Sequence, residues 1–404
     1  MIDVTRLLCG KVKPGDVLRY GRQSAGLPSH LQRFSRDKRP VVVWNTTRRC
    51  NLACLHCYAD AKAEPDLGEL TTQEARSVIS DLASFAVPVL LFSGGEPFLR
   101  EDLFELGQYA VSLGIRAVIS TNGTLIDRAT AKRIKDAGFS YVGISLDGLE
   151  KTHDRFRGCK GAFLASLAGI HNCQEEGVKV GLRLTVCRYN LDEVPGIFDL
   201  IEAEAIPRAC FYHLVYTGRG KRIQEQDISL SQKRNLIDLI FERTRDFCRR
   251  GLDVEILTVD NHADGVYLYL QERAKDPDRA REIWELLLWN GGNSSGIGIA
   301  NVDHQGMVHA DQFWRHYTFG NVRQRPFSAI WMDTSDPILR GLKNRKGLVK
   351  GKCGRCRFFD ICNGNFRARA EAAFQDLWAE DPACYLTEEE ITGSAPPLAE
   401  DSSG

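Results

Sequence analysis

The chain has 404 residues, of which 43% are hydrophobic and 26% are charged, and its 53 basic residues equal its 53 acidic residues in number. The zero formal net charge excludes a nucleic-acid binder that depends on bulk positive charge, and no apolar run approaches the ~20 residues needed to cross a bilayer. The first residues are polar and broken by Gly and Pro, unlike a signal peptide, so we expect a cytoplasmic protein of two or three compact units.

Apolar segments alternate with helical patterns in the first half of the chain. We expect buried strands, in chain order, at 40–47, 87–95, 115–123, 141–148, 178–186 and 207–216. Helices are expected between them at 71–85, 101–114, 127–138, 161–177 and 191–205. The alternation predicts consecutive βαβ units with a parallel sheet, and six units are too few for an eight-stranded barrel. Either a doubly wound sheet or an incomplete barrel fits this pattern, and in both the site lies where the strands end.

The rest of the sequence does not follow the alternation. We expect helices at 231–250 and 283–290 and a hairpin that turns at 304–306. The predicted organisation is an N-terminal, loosely ordered arm (1–39), a strand-and-helix core (40–217), a helical connecting region (218–299), a C-terminal unit (300–391) and a disordered tail (392–404).

Thirteen cysteines are many for a chain expected in a reducing compartment, where a disulfide framework is not expected. Seven lie in two groups, which are Cys50, Cys54 and Cys57, and Cys353, Cys356, Cys362 and Cys384. The others are expected to be apolar side chains without chemistry: Cys9, Cys159, Cys173, Cys187, Cys210 and Cys248.

The first cysteine group has the spacing Cys50-x3-Cys54-x2-Cys57 and directly follows the first predicted strand. A structural zinc site takes four ligands, and this loop supplies three. Three thiolates on a short loop favour a 4Fe–4S cluster that keeps one iron open to a ligand from outside the protein. A zinc loop with a distant fourth ligand is the alternative.

The context of this group points to a family. With Tyr58 after the last cysteine and Gly94-Gly95-Glu96-Pro97 after the second strand, the sequence resembles the radical SAM superfamily. The resemblance implies an α/β fold, an incomplete (βα)6 TIM-like barrel, and a 4Fe–4S cluster whose open iron is chelated by S-adenosyl-L-methionine (SAM). It also implies reductive cleavage of SAM to a 5′-deoxyadenosyl radical, with an electron donor such as ferredoxin or flavodoxin.

The roles known in the family carry over to matching positions. The first cysteine group would ligate the SAM cluster. The resemblance assigns the ammonium of SAM to the Gly-Gly-Glu backbone, its ribose to the third strand and its methionine end to the fourth strand. We expect its carboxylate to pair with arginines, because a guanidinium makes a two-point contact with a carboxylate, and its adenine to lie beside an aromatic ring. The corresponding residues are Gly94, Gly95 and Glu96; Ser120 and Asn122; Ser145; Arg157 and Arg183; and Tyr58.

The second cysteine group has the spacing Cys353-x2-Cys356-x5-Cys362-x21-Cys384, and its four cysteines can saturate a metal centre. A zinc ribbon is the alternative. After a radical SAM core, however, the group resembles the SPASM/twitch extension, which implies a second, auxiliary 4Fe–4S cluster. Ala310 stands where the full SPASM pattern has a further cysteine, so we expect one auxiliary cluster. We expect His309 and His316 nearby to be hydrogen-bonded hairpin residues, with a role as ligand or proton donor as the alternative.

Over about residues 30–391 the motifs are similar to the radical SAM proteins of heme d1 biosynthesis, the NirJ family. This resemblance implies that two propionate side chains are removed from an iron tetrapyrrole, didecarboxysiroheme. Because such a substrate carries carboxylates, basic residues are candidate contacts: Arg219, Lys221, Arg222, Arg367 and Arg369. We expect neither a nucleic-acid nor a membrane partner.

Three other functions stay open. A related heme-pathway radical SAM decarboxylase and a SPASM-type peptide maturase share most of these motifs. A maturase often carries a leader-recognition domain, for which the ~40 residues before the first strand are short. A non-catalytic zinc-binding interaction protein would have two zinc sites and no use for Gly-Gly-Glu-Pro.

Overall fold

The computed structural model describes residues 1–13, 19 and 39–393, and the chain divides into two compact units. The larger, called the barrel unit below, consists of Ser35–Asp227 and Ser295–Lys343. The smaller, called the second unit, consists of Met1–Phe34, Ile228–Ser294 and Asn344–Gly404. The expected borders at 217/218 and 299/300 therefore lie about ten and five residues from borders of the structure, and the expected C-terminal unit is divided between the two units.

The first residues form a strand and a helix, although the sequence predicts a loose arm. Strand β1 (Ile2–Asp3) leads into α1 (Val4–Cys9), whose N-cap Asp3 accepts the N–H of Arg6 at 2.9 Å. Gly10 ends α1 with a φ of 69°. The predicted loose arm is wrong for residues 2–9, because their apolar side chains are buried in the second unit. Most of the remaining predicted arm lies outside the described residues.

Six parallel strands form the core of the barrel unit, and all six were expected from the sequence. They are β2 (Val41–Thr47), β3 (Val89–Gly94), β4 (Arg116–Thr121), β5 (Val142–Ser145), β6 (Val180–Val186) and β7 (Arg208–His213). Each strand pairs in parallel with the next in the chain. A doubly wound sheet reverses its strand order at a switch point, and this sheet does not. The fold is therefore the incomplete (βα)6 barrel.

Helices follow the strands as the periodicity predicts. They are α2 (Thr72–Ser84), α3 (Leu103–Ser112), α4 (Arg128–Asp136), α5 (Glu150–Arg157), α6 (Ala162–Glu175) and α7 (Val194–Ala203), with short 3-10 turns at Pro97–Leu99, Leu191–Glu193 and Gly218–Gln226. A capping box between Thr71 and Glu74 begins α2. Helix α5 is an addition to the predicted set, because most of its residues are polar and only part of one face is buried.

The middle of the second unit contains α8 (Leu230–Arg249), β8 (Glu255–Val259), α9 (Ala263–Arg273) and α10 (Pro277–Asn290). The prediction of a helix at 231–250 is confirmed, and the one predicted at 283–290 is longer. Strand β8 pairs antiparallel with β1, with Ile2 opposite Thr258.

A disulfide joins Cys9 at the end of α1 to Cys248 near the end of α8. The sequence analysis predicted that both cysteines are apolar side chains without chemistry and that the chain has no disulfide framework. For this pair of cysteines the prediction is wrong. The two cysteines are 239 positions apart, and it is the packing of α1 against α8 that brings them together.

The predicted hairpin is confirmed, and it extends the barrel sheet. Strands β9 (Ile299–Val302) and β10 (Met307–His309) pair antiparallel, and β9 lies parallel to β2. The barrel unit then adds β11 (Gly320–Asn321), α11 (Phe327–Met332) and α12 (Pro337–Lys343).

The C-terminal part of the second unit has four short helices: α13 (Gly351–Gly354), α14 (Phe359–Cys362), α15 (Arg367–Phe374) and α16 (Glu388–Thr392). The predicted tail lies, except for its first two residues, outside the described residues. Among the helices of the described residues, none is both long and apolar enough to cross a membrane.

Candidate metal centre and cofactor site

The loop after β2 brings the first cysteine group together. Cys50, Cys54 and Cys57 pack with Leu52 and Ala61 in one buried cluster. Burial raises the pKa of Cys50 to about 12, and the charges of Glu96, Cys54 and Cys57 oppose its ionisation further. Burial also raises the pKa of Cys54. Three close thiols, two buried and one half-buried, become thiolates when a bound metal supplies positive charge, which is the donor set that an iron–sulfur cluster requires.

Each of the three sulfur atoms receives a hydrogen bond. The backbone N–H of Leu52 donates to Cys50 Sγ and that of Ala61 to Cys57 Sγ, both at 3.4 Å. Arg157 Nη1 donates to Cys54 Sγ, also at 3.4 Å. Donors to sulfur orient thiolate ligands and tune the potential of a cluster. The loop therefore fits a cluster in its second-sphere contacts as well as in its ligands.

The two glycines after β3 lie directly against this loop. The N–H of Gly95 donates to Thr47 O at 2.7 Å, and the N–H of Glu96 donates to Arg49 O at 2.8 Å. A Cβ at Gly94 would overlap Thr47 O, and one at Gly95 would overlap Arg49 O. Glycine is therefore required because two backbones touch. Gly94 and Gly95 thus form the surface on which the cysteine loop packs, called its seat below. The sequence analysis missed this role.

The carboxylate of Glu96 joins the ends of two strands. It accepts hydrogen bonds from Thr121 Oγ1 at 2.8 Å, from Asn122 N at 2.9 Å and from Phe98 N at 3.2 Å. Burial raises the pKa of Glu96 to about 7. Glu96 thus fixes the Gly-Gly-Glu segment to the segment that carries Asn122.

The predicted ribose and carboxylate residues lie in two places. Asn122 Nδ2 donates to Asn51 Oδ1 at 2.9 Å and is 4.0 Å from Cys50 Sγ, so this side chain lies on the cysteine loop. Ser120 Oγ instead accepts from Arg183 Nη1 at 2.7 Å. Ser145 pairs in register with Arg183 across β5 and β6.

Arg183 keeps one hydrogen-bond donor available. Its Nε is buried and makes no hydrogen bond among the described residues. A guanidinium with an open N–H is suited to an anion such as a carboxylate.

Tyr58 closes a polar network at the ends of β2 and β3. Its hydroxyl group lies 3.0 Å from Ser93 Oγ and accepts from Asn45 Nδ2 at 3.3 Å. Its ring meets Phe313 edge-on, with 5.2 Å between ring centres. The tyrosine is positioned through its hydroxyl, which leaves its predicted contact with adenine a prediction.

In the second cysteine group Cys353 and Cys384 are buried, and Cys356 and Cys362 are half-buried. Burial raises the pKa of Cys384 to about 12 and that of Cys362 well above its usual value, and the charges of Cys353 and Cys356 add to the effect on Cys362. The N–H of Asp381 donates to Cys353 Sγ at 3.5 Å.

A single metal ion requires a different arrangement of ligands from a cluster. Within the ranges 1–13, 19 and 39–393, no three His, Cys, Asp or Glu side chains are arranged to hold one metal ion.

Comparison with known proteins identifies the family. Residues 44–201 match the profile of the Radical SAM superfamily. The chain is 61% identical over 394 residues to the Fe-coproporphyrin III synthase of Methanosarcina barkeri, covering 97% of this chain and 99% of the relative. The chain belongs to the radical SAM superfamily.

A second relative and a solved structure agree with this. The pre-heme d1 synthase of Dinoroseobacter shibae is 45% identical over 361 residues, or 88% of each chain. Streptococcus suis SuiB bound to its precursor peptide SuiA superimposes with a TM-score of 0.69 at 18% identity, over 86% of this chain and 76% of SuiB. The structural likeness confirms the fold.

As a member of the radical SAM superfamily the chain is an enzyme that uses SAM and a 4Fe–4S cluster. When bound, these supply a carbon radical that abstracts hydrogen atoms. The chain's own residues contribute sulfur ligands, hydrogen bonds to sulfur, and a Gly-Gly-Glu segment fixed to the ligand loop.

Three arginines expected at a substrate carboxylate have other partners in this radical SAM enzyme. Arg219 binds the cysteine loop, donating to Cys54 O and Ala61 O, both at 2.7 Å. Arg369 forms two 2.9 Å hydrogen bonds to Asp381. Arg367 donates to Leu377 O at 3.1 Å, and like Arg369 it is buried. We therefore withdraw these three as substrate contacts, whereas Lys221 and Arg222 are exposed.

The hairpin histidine follows the expected pattern. His309 Nδ1 lies 2.6 Å from Tyr317 O, and its Nε2 lies 3.5 Å from Asp303. Ala310 is buried beside it.

The sequence analysis missed two neighbouring side chains of this region, Asp147 and His56. Asp147, at the end of β5, is 1% exposed, and its Oδ1 accepts from Thr185 N at 2.8 Å. Its other oxygen pairs with Arg157 and lies 3.5 Å from His56 Nε2. A signal existed, since Asp147 is one of the polar residues at the end of a predicted strand.

Proposed function

We propose that this radical SAM enzyme modifies the side chains of an iron tetrapyrrole and converts didecarboxysiroheme into Fe-coproporphyrin III. The observation that carries the proposal is the 61% identity, over nearly the full length of both chains, to a protein named for that product. The 45% identity to the pre-heme d1 synthase is lower and covers less of the chain. The heme d1 reaction, with loss of propionates, is therefore the second candidate.

The two candidates differ in which side chains leave. Fe-coproporphyrin III retains four propionates, so its formation requires the loss of acetate arms. The heme d1 reaction implied by the sequence removes two propionates instead. In either case the reacting C–H bonds have no useful acidity, so the radical chemistry of the cofactor is needed to begin the reaction.

The proposed cofactor contacts are those that the family resemblance implies, and the contacts within the barrel unit support them. Cys50, Cys54 and Cys57 ligate the cluster. Backbone groups of Gly94, Gly95 and Glu96 bind the ammonium group of SAM, Tyr58 lies on the adenine side, and Ser120, Asn122 and Ser145 lie along the ribose and methionine. The open Nε of Arg183 supports its assignment to the carboxylate.

The four cysteines of the second group, we propose, hold one auxiliary 4Fe–4S cluster. Support comes from the charges of the other three cysteines, each of which raises the pKa of Cys362. Anaerobically reconstituted enzyme would then contain about eight iron atoms per chain, and a variant with all four cysteines changed to alanine about four. Bound zinc in place of the second four irons would contradict the assignment.

Partners are proposed on chemical grounds. A ferredoxin or flavodoxin would supply the electron, and the reaction would take place in the cytoplasm without nucleic acid or membrane. Lys221 and Arg222 are exposed cations that suit carboxylates of the tetrapyrrole.

The deciding experiment is an anaerobic incubation with SAM, a reductant and didecarboxysiroheme, followed by mass spectrometry of the tetrapyrrole. The proposal predicts a product with the mass and retention of Fe-coproporphyrin III. A product lacking two propionates would establish the second candidate. SAM cleavage stimulated by a peptide and not by the tetrapyrrole would instead indicate a peptide maturase.

A further inference from the structure

We propose that Arg157, oriented by Asp147, is a positioning residue that sets the reduction potential of the SAM cluster through the Cys54 thiolate, in place of its predicted contact with the carboxylate of SAM. The inference rests on a cluster bound by the first cysteine group and is independent of the tetrapyrrole.

Backbone hydrogen bonds attach the last turn of α5 to the two residues that flank Cys54. The N–H of Ala53 donates to Arg157 O at 3.1 Å, and the N–H of Leu55 donates to Phe156 O at 2.9 Å. The residues on either side of Cys54 are therefore hydrogen-bonded to the last turn of α5. Helix α5 ends at Gly158, whose φ is 66°. The position of Arg157 relative to the ligand is thus fixed by main-chain contacts.

The side chain then faces the sulfur. Arg157 Nη1 donates to Cys54 Sγ at 3.4 Å, while Nη2 pairs with Asp147. Arg157 is 6% exposed and Asp147 1% exposed. Because both Nη groups already have buried partners, an end-on, two-point contact with a free carboxylate would compete with those bonds, and Nε is the donor that makes no hydrogen bond among the described residues.

Asp147 is itself held in place. Thr185 N donates to its Oδ1 at 2.8 Å, and Asn190 Nδ2 donates to its backbone O at 3.0 Å. Two histidines also lie beside Asp147: His56 Nε2 is 3.5 Å from its carboxylate, and His153 Nδ1 accepts from its backbone N–H at 3.0 Å. The charge pair is therefore a rigid part of the barrel that faces one cluster ligand.

The sign of the effect follows from charge. Reduction adds an electron to the cluster, and a nearby cation stabilises the more negative state, which raises the potential. The anion Asp147 opposes this effect. Neutralising Arg157 should lower the potential, and neutralising Asp147 should raise it.

The test is a redox titration of the full-length enzyme, followed by electron paramagnetic resonance, without SAM and without tetrapyrrole. For Arg157→Gln we expect at least a tenfold lower ratio of reduced to oxidised SAM cluster at a fixed potential, equal to a shift of at least 59 mV for one electron. Asp147→Asn should shift the ratio the opposite way, and Arg157→Lys should stay near the wild type.

A matched control is Arg100→Gln. Arg100 is also a buried barrel arginine paired with its own aspartate, at 2.6 Å from Asp102 Oδ1. Its other hydrogen bonds go to Thr46 O and Leu70 O, and the potential should not change.

Several results would overturn the proposal. One is an unchanged potential in Arg157→Gln together with weakened SAM binding, which would restore the predicted carboxylate contact. Another is a shift of the same sign in Arg157→Gln and Asp147→Asn, which would indicate a merely structural role. If Arg157→Gln fails to bind a cluster, the other two variants decide. The proposal is rejected if the potential is not raised in Asp147→Asn, or if it is lowered in Arg157→Lys. Because no tetrapyrrole is present, an error in the proposed substrate would not affect the outcome.

Discussion

The backbone N–H of Asn122 donates to Oε2 of Glu96 at 2.9 Å, which joins the segment after β4 to the segment after β3. Glu96 N in turn donates to the carbonyl of Arg49 in the cysteine loop. The motifs that the sequence separates are therefore one hydrogen-bonded assembly. Its hydrogen bonds tie the ends of three strands together.

Gly95→Ala should weaken loading of the SAM cluster. The new Cβ would overlap Arg49 O, so the cysteine loop must shift, at a cost of about 1–3 kcal/mol typical of overpacking. The measurement is iron bound per chain after reconstitution, with the second cysteine group intact. Gly196→Ala is the control, because the nearest contact of its Cβ is the flexible side chain of Leu149 at 3.2 Å. Equal iron content in the two variants would contradict the seat assigned to Gly95.

Arg219→Met should make the first cluster lose iron faster. Arg219 donates from Nε and Nη1 to Cys54 O and Ala61 O, and a charged hydrogen bond contributes about 1.5–3 kcal/mol. The measurement is the rate of iron transfer to a chelator under anaerobic conditions. Arg222→Met is the control, because this residue lies in the same segment and is exposed. If Arg222→Met releases iron as fast as Arg219→Met, the hydrogen bonds from Arg219 to the cysteine loop are not what retains the iron.

Lys343 gives the barrel unit a pH dependence of stability. Burial lowers the pKa of Lys343 from 10.5 to about 8, and its ammonium donates to Trp331 O. Between these two pKa values the unfolded chain holds a proton that the folded chain has lost, so stability rises with pH from about 8 to about 10.5. Below about 8 both states are charged and this contribution is constant.

The difference in urea midpoint between wild type and Lys343→Met measures this effect. We expect the urea midpoint of the wild type to rise relative to that of the variant as the pH rises from about 8, because methionine cannot titrate. Exposed Lys346→Met serves as the control and should run parallel to the wild type. A constant difference between wild type and Lys343→Met over this pH range would refute the prediction.

The disulfide between Cys9 and Cys248 should stabilise the second unit. Because it closes a long loop, its loss should cost about 2–4 kcal/mol. In an anaerobic glutathione buffer, oxidised wild type should unfold at a higher urea concentration than Cys9→Ser/Cys248→Ser, and reduced wild type should match the variant. Two additional free thiols in the oxidised wild type would show that the bond does not form.

The sequence predicts local features of this protein well and distant contacts poorly. The apolar runs of β2 to β7 and the spacing of Cys50, Cys54 and Cys57 are local patterns, and both were found where expected. The contact of Arg157 with Cys54 joins residues 103 positions apart, and that of Arg219 with Cys54 joins residues 165 apart. Such pairs depend on how helices and loops return to the strand ends, which periodicity does not encode.

Cleavage of SAM is the most direct test of the central claim, that Cys50, Cys54 and Cys57 hold the cluster on which SAM is reduced. The measurement is 5′-deoxyadenosine formed anaerobically by reconstituted enzyme with SAM and dithionite. We predict formation by the wild type and by Cys173→Ala, which alters a buried cysteine outside both groups, and none above background when the three cysteines are alanine. Cleavage that survives the triple replacement, or a wild type that cannot cleave SAM, would contradict the account.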